Sequence, residues 1–207
     1  MIRFALPKGR NLDAALAAFR TAGIPLDGPG DGRSLRTRLP AEGIEVLSLK
    51  DWDLPLYVSH GVADCGIVGS DVLEEVDGDL LVPVRLRQGR SRLSLIGLAP
   101  APPAAGTQVR LATKYPNTAR RLLAGRAWGA EILKLSGSIE LAPLLRLAEL
   151  ALDIVQTGRT LAENGLVEIE AVAEVAPCLV VNRASYQRHR ALLNGWIDRL
   201  ERAEVVS

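Results

Sequence analysis

The 207-residue sequence predicts an α/β protein built from two units, each a largely parallel sheet with helices on it. Three observations carry that expectation. Strand-like and helix-like segments alternate from residue 2, the alternation stops for a Pro/Ala/Gly-rich connection at 100–106, and the same strand, turn, helix grammar then restarts.

Ile2 to Leu6 is a short apolar run interrupted by Pro7-Lys8-Gly9-Arg10. Leu12, Ala15, Leu16 and Phe19 then fall at i, i+3, i+4 and i+7, one face of a helix that Gly23 terminates. Ile44 to Leu49 reads as a strand and Asp53 to His60 as a helix with Pro55 in its first turn. Ala63 to Val68 reads as a strand ending at Gly69, and Asp71 with Glu74 as the cap of a helix running to Val76. Two strand-like runs follow, Leu80 to Leu86 and Arg92 to Ala99. After the restart come the strand Val109 to Thr113, a turn at Lys114-Tyr115, and a helix from near Pro116 to Trp128, ended by Gly129. Ile132 to Leu135, the turn Ser136-Gly137-Ser138, a helix across Leu144 to Leu147 and the strand Ala151 to Val155 continue the pattern. Leu166 to Val175 and Leu179 to Val181 are strand-like, and Ser185 to Arg202 reads as one helix with Leu192, Leu193, Trp196 and Leu200 on one side.

Hydrophobic residues at 48% and charged residues at 24% exclude disorder and a membrane-spanning class, and the longest apolar stretch, Leu93 to Ala105, is broken by three prolines. No secretory h-region precedes the first charges, so a cytoplasmic protein is expected. A net charge of +1 argues against a dominant polyanion-binding surface, hence no nucleic acid and no membrane as partners. Cys65 and Cys178 are far apart and lack companions at ligand spacing; they are expected as buried, reduced thiols, not a zinc site. His60 and His189 are expected in structural or surface roles, and Trp128 and Trp196 in packing.

The most informative stretch is Ala151-Leu152-Asp153-Ile154-Val155-Gln156-Thr157-Gly158-Arg159-Thr160-Leu161-Ala162-Glu163. An apolar strand delivers the chain into Thr-Gly-Arg-Thr, and Thr160 with Glu163 reads as a capping box. A glycine able to take positive φ, two hydroxyls, an arginine and the N–H groups of a helix start suit a phosphate monoester; an ordinary capped turn is the plain alternative. Upstream, Asp153 and Glu149 are candidates to accept from sugar hydroxyls.

Residues 149–166 (ELALDIVQTGRTLAENGL) resemble the phosphoribosyl-diphosphate signature of the ATP phosphoribosyltransferase family. LPKGR at 6–10, DLPLYVSHGVADCGIVGSDVL at 53–73, LATKYPNTAR at 111–120, SGSIELAP at 136–143 and VNRASY at 181–186 resemble further blocks of that family in the same order. The length resembles the short form, which lacks a C-terminal regulatory domain. The resemblance implies two α/β domains with a cleft between them, similar to type II periplasmic binding proteins, with residues 1–90 plus 176–207 as the first domain and 91–175 as the second. It implies attack of adenine N1 of ATP on C1 of phosphoribosyl diphosphate, with Mg²⁺ required and carried by the substrates, not by a protein metal site. Because N1 bears no proton, no general base is expected.

Carried over position by position, Thr157, Gly158, Arg159, Thr160 and Leu161 are implied at the 5-phosphate, with Asp153 and Glu149 near the ribose; the family usually has aspartate where Glu149 stands. Lys8, Gly9, Arg10, Lys50, Asp64, Asp71, Lys114, Tyr115 and Glu140 are implied around ATP or diphosphate, Tyr115 by stacking. Lys50 stands where arginine is common, and an ammonium lacks the guanidinium's bidentate grip. A homodimer is implied, joined to a regulatory subunit similar to histidyl-tRNA synthetase. The alternatives are a noncatalytic two-domain ligand-binding module and a phosphoribosyltransferase for another base, since fold alone does not decide activity.

Overall fold

Gly9, at φ +92 and ψ −141, turns the chain out of the strand β1 (Ile2–Lys8) into the helix α1 (Arg10–Thr21). This computed structural model describes residues 1–26, 34–76 and 78–205. In chain order there follow β2 (Arg36–Leu39), β3 (Ile44–Lys50), α2 (Leu54–Ser59), β4 (Cys65–Gly69), α3 (Ser70–Glu75) and β5 (Leu81–Arg85). Next are β6 (Ser91–Gly97), β7 (Gln108–Thr113), α4 (Pro116–Leu123), β8 (Gly129–Lys134), α5 (Leu141–Leu144), β9 (Leu150–Val155), α6 (Arg159–Glu163) and β10 (Val167–Val175). The chain ends with β11 (Pro177–Val181), α7 (Arg183–Arg188) and α8 (Arg190–Val205).

Two compact units result, Met1–Arg90 with Ala176–Ser207, and Ser91–Val175. In the first, the sheet order is β2-β3-β1-β4-β11-β5. β1 pairs in parallel with β3 and β4, while β2 and β11 run antiparallel to their neighbours. One face packs Phe4, Phe19 and Trp196 edge to face, with ring centroids 5.2 to 6.3 Å apart. Such contacts add about 0.5–1.5 kcal/mol per pair beyond area burial. In the second unit the order is β10-β6-β9-β7-β8, with β7 parallel to β8 and β9, and β6 antiparallel to β9 and β10. Leu93, Leu95, Leu150 and Leu152 pack one face; Ile96, Ala151 and Val155 pack the other with Leu161 of α6.

Several boundaries differ from the sequence reading. β2 is an addition: its Arg-Thr-Arg-Leu pattern is that of a charged edge strand, and Arg36 and Arg38 both reach the buried Glu45. α4 ends at Leu123, so Trp128 is buried from an irregular segment and Gly129 opens β8 instead of closing a helix. A side chain at Gly129 would run into that of Gln108, its register partner. The helix expected at Leu144 to Leu147 lies earlier, over Leu141–Leu144, because Arg146 at φ +59 turns the chain toward β9. Asp71 does not cap α3: Gly69 is the N-cap, which makes Asp71 the second helical residue. The terminal helix is two pieces separated at His189, and Leu192 is exposed while Leu193, Trp196 and Leu200 are buried. Both thiols are free and buried, and burial raises Cys65 well above the ordinary range and Cys178 to about 11. No helix among the described residues is long and apolar enough to cross a membrane.

Candidate active site

In the second unit, parallel β7 and β9 deliver their C-terminal ends side by side, with Thr113 opposite Leu152. The buried Thr113 hydroxyl donates to the Leu152 carbonyl at 2.7 Å and accepts from the Tyr115 N–H at 2.9 Å. That pair of bonds fixes the Lys114 turn. Lys114 Nζ consequently lies 3.2 Å from Asp153 Oδ1, with side-chain exposures of 27% and 16%. Asp153 Oδ1 is shut off from solvent and makes no directed hydrogen bond among the described residues.

Two residues beyond Val155, Thr157 Oγ1 accepts from the Arg159 N–H at 3.4 Å, and Gly158 sits at φ +75, ψ 0 as N-cap of α6. Thr157, Arg159 and Thr160 are exposed. Leu161 is buried and anchors the turn to the core, so its contribution through the side chain is packing. The expected Thr160–Glu163 capping box does not form, because the N-cap is Gly158 and the helix begins two residues earlier than that motif requires. Glu163 instead lies 3.4 Å from Arg159 Nε in an exposed i, i+4 pair. Glu140 precedes α5 and its side chain makes no cap hydrogen bond there; Ile139 beside it is buried in the cluster that holds Val155 and Leu161.

Register sets a row of polar groups across this end of the sheet. Ser94 on β6 is opposite Asp153 on β9, and Arg92 is opposite Val155. Ser94 Oγ donates to Glu168 Oε1 at 2.7 Å, and Arg92 grips both oxygens of Glu168 through Nε and Nη2. Arg92 Nη1 also reaches the Gln156 carbonyl at 3.4 Å. None of these three was singled out from sequence. The strand alternation Val167-Glu168-Ile169-Glu170 is the available signal, but only the fold shows which carboxylate meets the turn.

Two carboxylates and one ring depart from expectation. Glu149 stands just before β9, four residues below Asp153 and so about 13 Å away along the strand. There it accepts from the Arg110 N–H at 2.6 Å and pairs with the Arg110 guanidinium, whose hydrogen bonds, side chain first and backbone second, hold its carboxyl at about 2. With a folded pKa below the ordinary 4.5, the pair stabilises above pH 4.5 and that contribution fades as pH falls toward 2. Both side chains are half exposed, so the effect is on the order of 1 kcal/mol or less. Glu149→Gln should accordingly flatten the acid limb of a stability-against-pH curve, read by urea unfolding between pH 4.5 and 2; an unchanged slope would discard the pairing. Tyr115 is buried in the core with Leu93, Leu95 and Trp128, which leaves no ring face for stacking on a base.

In the first unit the parallel register sets Lys8 directly opposite Lys50, both exposed at the C-terminal ends of β1 and β3. Two ammonium groups side by side repel each other and favour an anion. Gly9 follows with open space where a side chain would stand. Arg10 opens α1, but its side chain lies outside the described residues. Beneath the turn, buried Asn11 donates to Asp51 at 3.0 Å, and buried Asp71 closes over Gly69. Asp64 lies elsewhere. It precedes β4, about five residues or roughly 16 Å from Gly69. There it accepts from the Arg3 N–H at 2.8 Å and the Ser185 hydroxyl at 2.6 Å, with Arg188 at 3.3 Å. Its role is to tie α7 to β1. His189 Nε2, 4.0 Å from the same carboxylate, belongs to that clasp.

The model of the ATP phosphoribosyltransferase family matches residues 50–202. The chain belongs to the ATP phosphoribosyltransferase family. An ATP phosphoribosyltransferase of Deinococcus radiodurans is 45% identical over 199 residues, covering 96% of this chain and 89% of the relative. Among solved structures, the "ATP phosphoribosyl transferase (HisG:HisZ) complex from Thermotoga maritima" superposes with a TM-score of 0.81 at 31% identity, covering both chains completely. The periplasmic aliphatic sulphonate binding protein SsuA of Escherichia coli superposes at 0.64 with 11% identity, covering 99% of this chain and 72% of that one, a likeness of fold alone. For this family member the comparisons match the α/β, two-unit architecture expected from sequence. Among the described residues no group of three or more His, Cys, Asp and Glu is placed to hold a metal ion.

Proposed function

We propose that this chain transfers the phosphoribosyl group of phosphoribosyl diphosphate to adenine N1 of ATP, releasing diphosphate. The observation that carries the reading is the Asp153–Lys114 pair at the foot of the Thr157-Gly158-Arg159-Thr160 turn. The turn takes the 5-phosphate through hydroxyls and backbone N–H groups, and the Asp153 carboxylate, 16% exposed, accepts from a ribose hydroxyl. Glu149 is left out of the ribose contacts because of its place at the far end of β9. Lys8, Gly9, Arg10 and Lys50 take polyphosphate, with Asp71 and Asn11 supporting their turn from below; Glu140 faces the ribose side.

In the reaction the N1 lone pair forms the N–C1 bond while the C1–O bond breaks and its electron pair leaves with diphosphate. Positive charge grows on the ribose and negative charge on the leaving group. The partly buried Asp153 carboxylate, held in place beside Lys114, stabilises the first without reorganisation at the moment of reaction. Mg²⁺ bound to the substrates' phosphates would supply charge neutralisation of the diphosphate. We assign the chain to the cytoplasm.

The similar Thermotoga maritima structure is a HisG:HisZ complex, which supports a hetero-oligomer here too. We assign this chain the catalytic role in a homodimer joined to a regulatory subunit similar to histidyl-tRNA synthetase. The test combines both statements. The chain is incubated with ATP, phosphoribosyl diphosphate and Mg²⁺, alone and with the partner, products are identified by mass, and histidine is titrated. Phosphoribosyl-ATP should form, and histidine should inhibit only the assembled form. Absence of product with the partner present would refute the activity, and strong histidine inhibition of the isolated chain would refute the division of labour.

A further inference from the structure

The Arg92–Glu168 pair lies beside the turn, and the phosphoribosyl reading as stated does not use it. Arg92 is on β6 and Glu168 on β10, adjacent antiparallel strands that carry register shifts between Glu168 and Glu170 and between Ala171 and Ala173. Those irregularities bring Glu168 to the guanidinium although its register partner is Ile96, four residues from Arg92. Bidentate pairing uses the Nε and Nη2 edge of the fork, and the Ser94 hydroxyl, completely buried, fixes Glu168 from the other side. With its plane set in this way, Arg92 directs Nη1 to the Gln156 carbonyl at 3.4 Å. Nη2 stands 4.0 Å from the point a Cβ on Gly158 would occupy. The guanidinium therefore lies along the segment that leads from Val155 into the left-handed residue.

We infer that Arg92, clamped by Glu168, is a positioning residue for the phosphate-binding turn, holding Gln156 to Gly158 in the conformation that receives the 5-phosphate. The inference rests on the phosphoribosyl reading above. The hydrogen bonds from Arg92 hold the Glu168 carboxyl below its ordinary range, so the clamp stays ionised through neutral pH. A net-neutral ion pair has little long-range pull on a phosphate dianion, so the geometry of the fork carries the effect. That distinguishes a positioning role from direct charge attraction, because the two respond oppositely to loss of the glutamate.

Ribose 5-phosphate, which carries the ribose and the 5-phosphate without the diphosphate, is the probe, titrated calorimetrically into the full chain and into Arg92→Gln, Arg92→Lys, Glu168→Gln and Gly158→Val. Arg92→Gln should weaken binding by about tenfold or more, and Glu168→Gln severalfold, although the latter leaves the guanidinium charge in place. Arg92→Lys, which keeps the charge but cannot span Glu168 and the Gln156 carbonyl at once, should fall near Arg92→Gln, and it carries the same test if the glutamine variant does not fold. In steady-state assays KM for phosphoribosyl diphosphate should rise while KM for ATP stays within about twofold; a merely structural pair would move both. Unchanged affinity in a folded Arg92 variant overturns the inference, as does tighter binding in Glu168→Gln or an equal rise in both KM values. If the unsubstituted chain fails to bind the probe, or Gly158→Val binds it unchanged, the phosphoribosyl reading itself falls and this inference falls with it.

Discussion

Gly158→Val is expected to lower affinity for phosphoribosyl diphosphate by at least about a hundredfold while leaving most of the chain folded. The left-handed conformation of Gly158, φ +75 and ψ 0, is the cause, since the nearest atoms to a Cβ there are 3.9 and 4.0 Å away and offer no clash. An L-residue at such angles costs about 1–2 kcal/mol, and a β-branched one is more strongly excluded. At the surface the turn escapes that cost by changing shape, so strain appears as a lost site more than as lost stability. Two charge-assisted hydrogen bonds to phosphate at about 1.5 kcal/mol or more apiece already account for a hundredfold. Gly158→Asn serves as the control, because asparagine tolerates the left-handed region, and it should retain far more affinity than valine. Calorimetry and thermal melts on the same samples decide the matter: a folded valine variant with undiminished affinity would remove the turn from the phosphate site.

The contiguous parts of this architecture are legible in the sequence because their signals are local. Ile44 to Leu49 and Ala151 to Val155 are apolar runs bounded by turn residues, and both are strands, β3 and β9. The Asp153 to Thr160 stretch could be read as a strand feeding an anion-binding turn for the same reason. What failed was decided by end and register. Glu149 and Asp153 share parity along β9 and so look like one site, yet a strand separates them by its rise, and only the β7 pairing shows that the Asp153 end is the one beside Lys114. Asp64 similarly looks like a partner of Asp71, and they mark opposite ends of β4. Arg92, Ser94 and Glu168 were invisible because cross-strand register and two irregularities in β10 place them together. Trp128 shows a different failure: its spacing continued the α4 pattern past Gly125, and tertiary packing buried the indole without a helix.

Asp153→Asn is expected to reduce kcat by about 10²–10³ with a smaller change in KM for phosphoribosyl diphosphate, the signature of an interaction stronger in the transition state. Asparagine keeps the shape and the capacity to accept from a ribose hydroxyl, so ground-state binding survives. What disappears is a negative charge fixed in a largely buried setting next to a ribose that becomes positive as diphosphate departs. The loss is compounded by Lys114, whose ammonium at 3.2 Å is then uncompensated and repels the same developing charge. Lys114→Met in the Asp153→Asn background should therefore recover part of the rate, while Lys114→Met alone leaves Asp153 without the neighbour that orients it and lowers kcat less. Folding should change little across the set, since Lys114 retains 27% exposure and water compensates the stranded charge. Steady-state kinetics of the four-member cycle, with melts to confirm the fold, read this directly; additive effects of the two substitutions on kcat would show that the pair does not act as a unit, and an undiminished kcat in Asp153→Asn would remove the carboxylate from the chemistry.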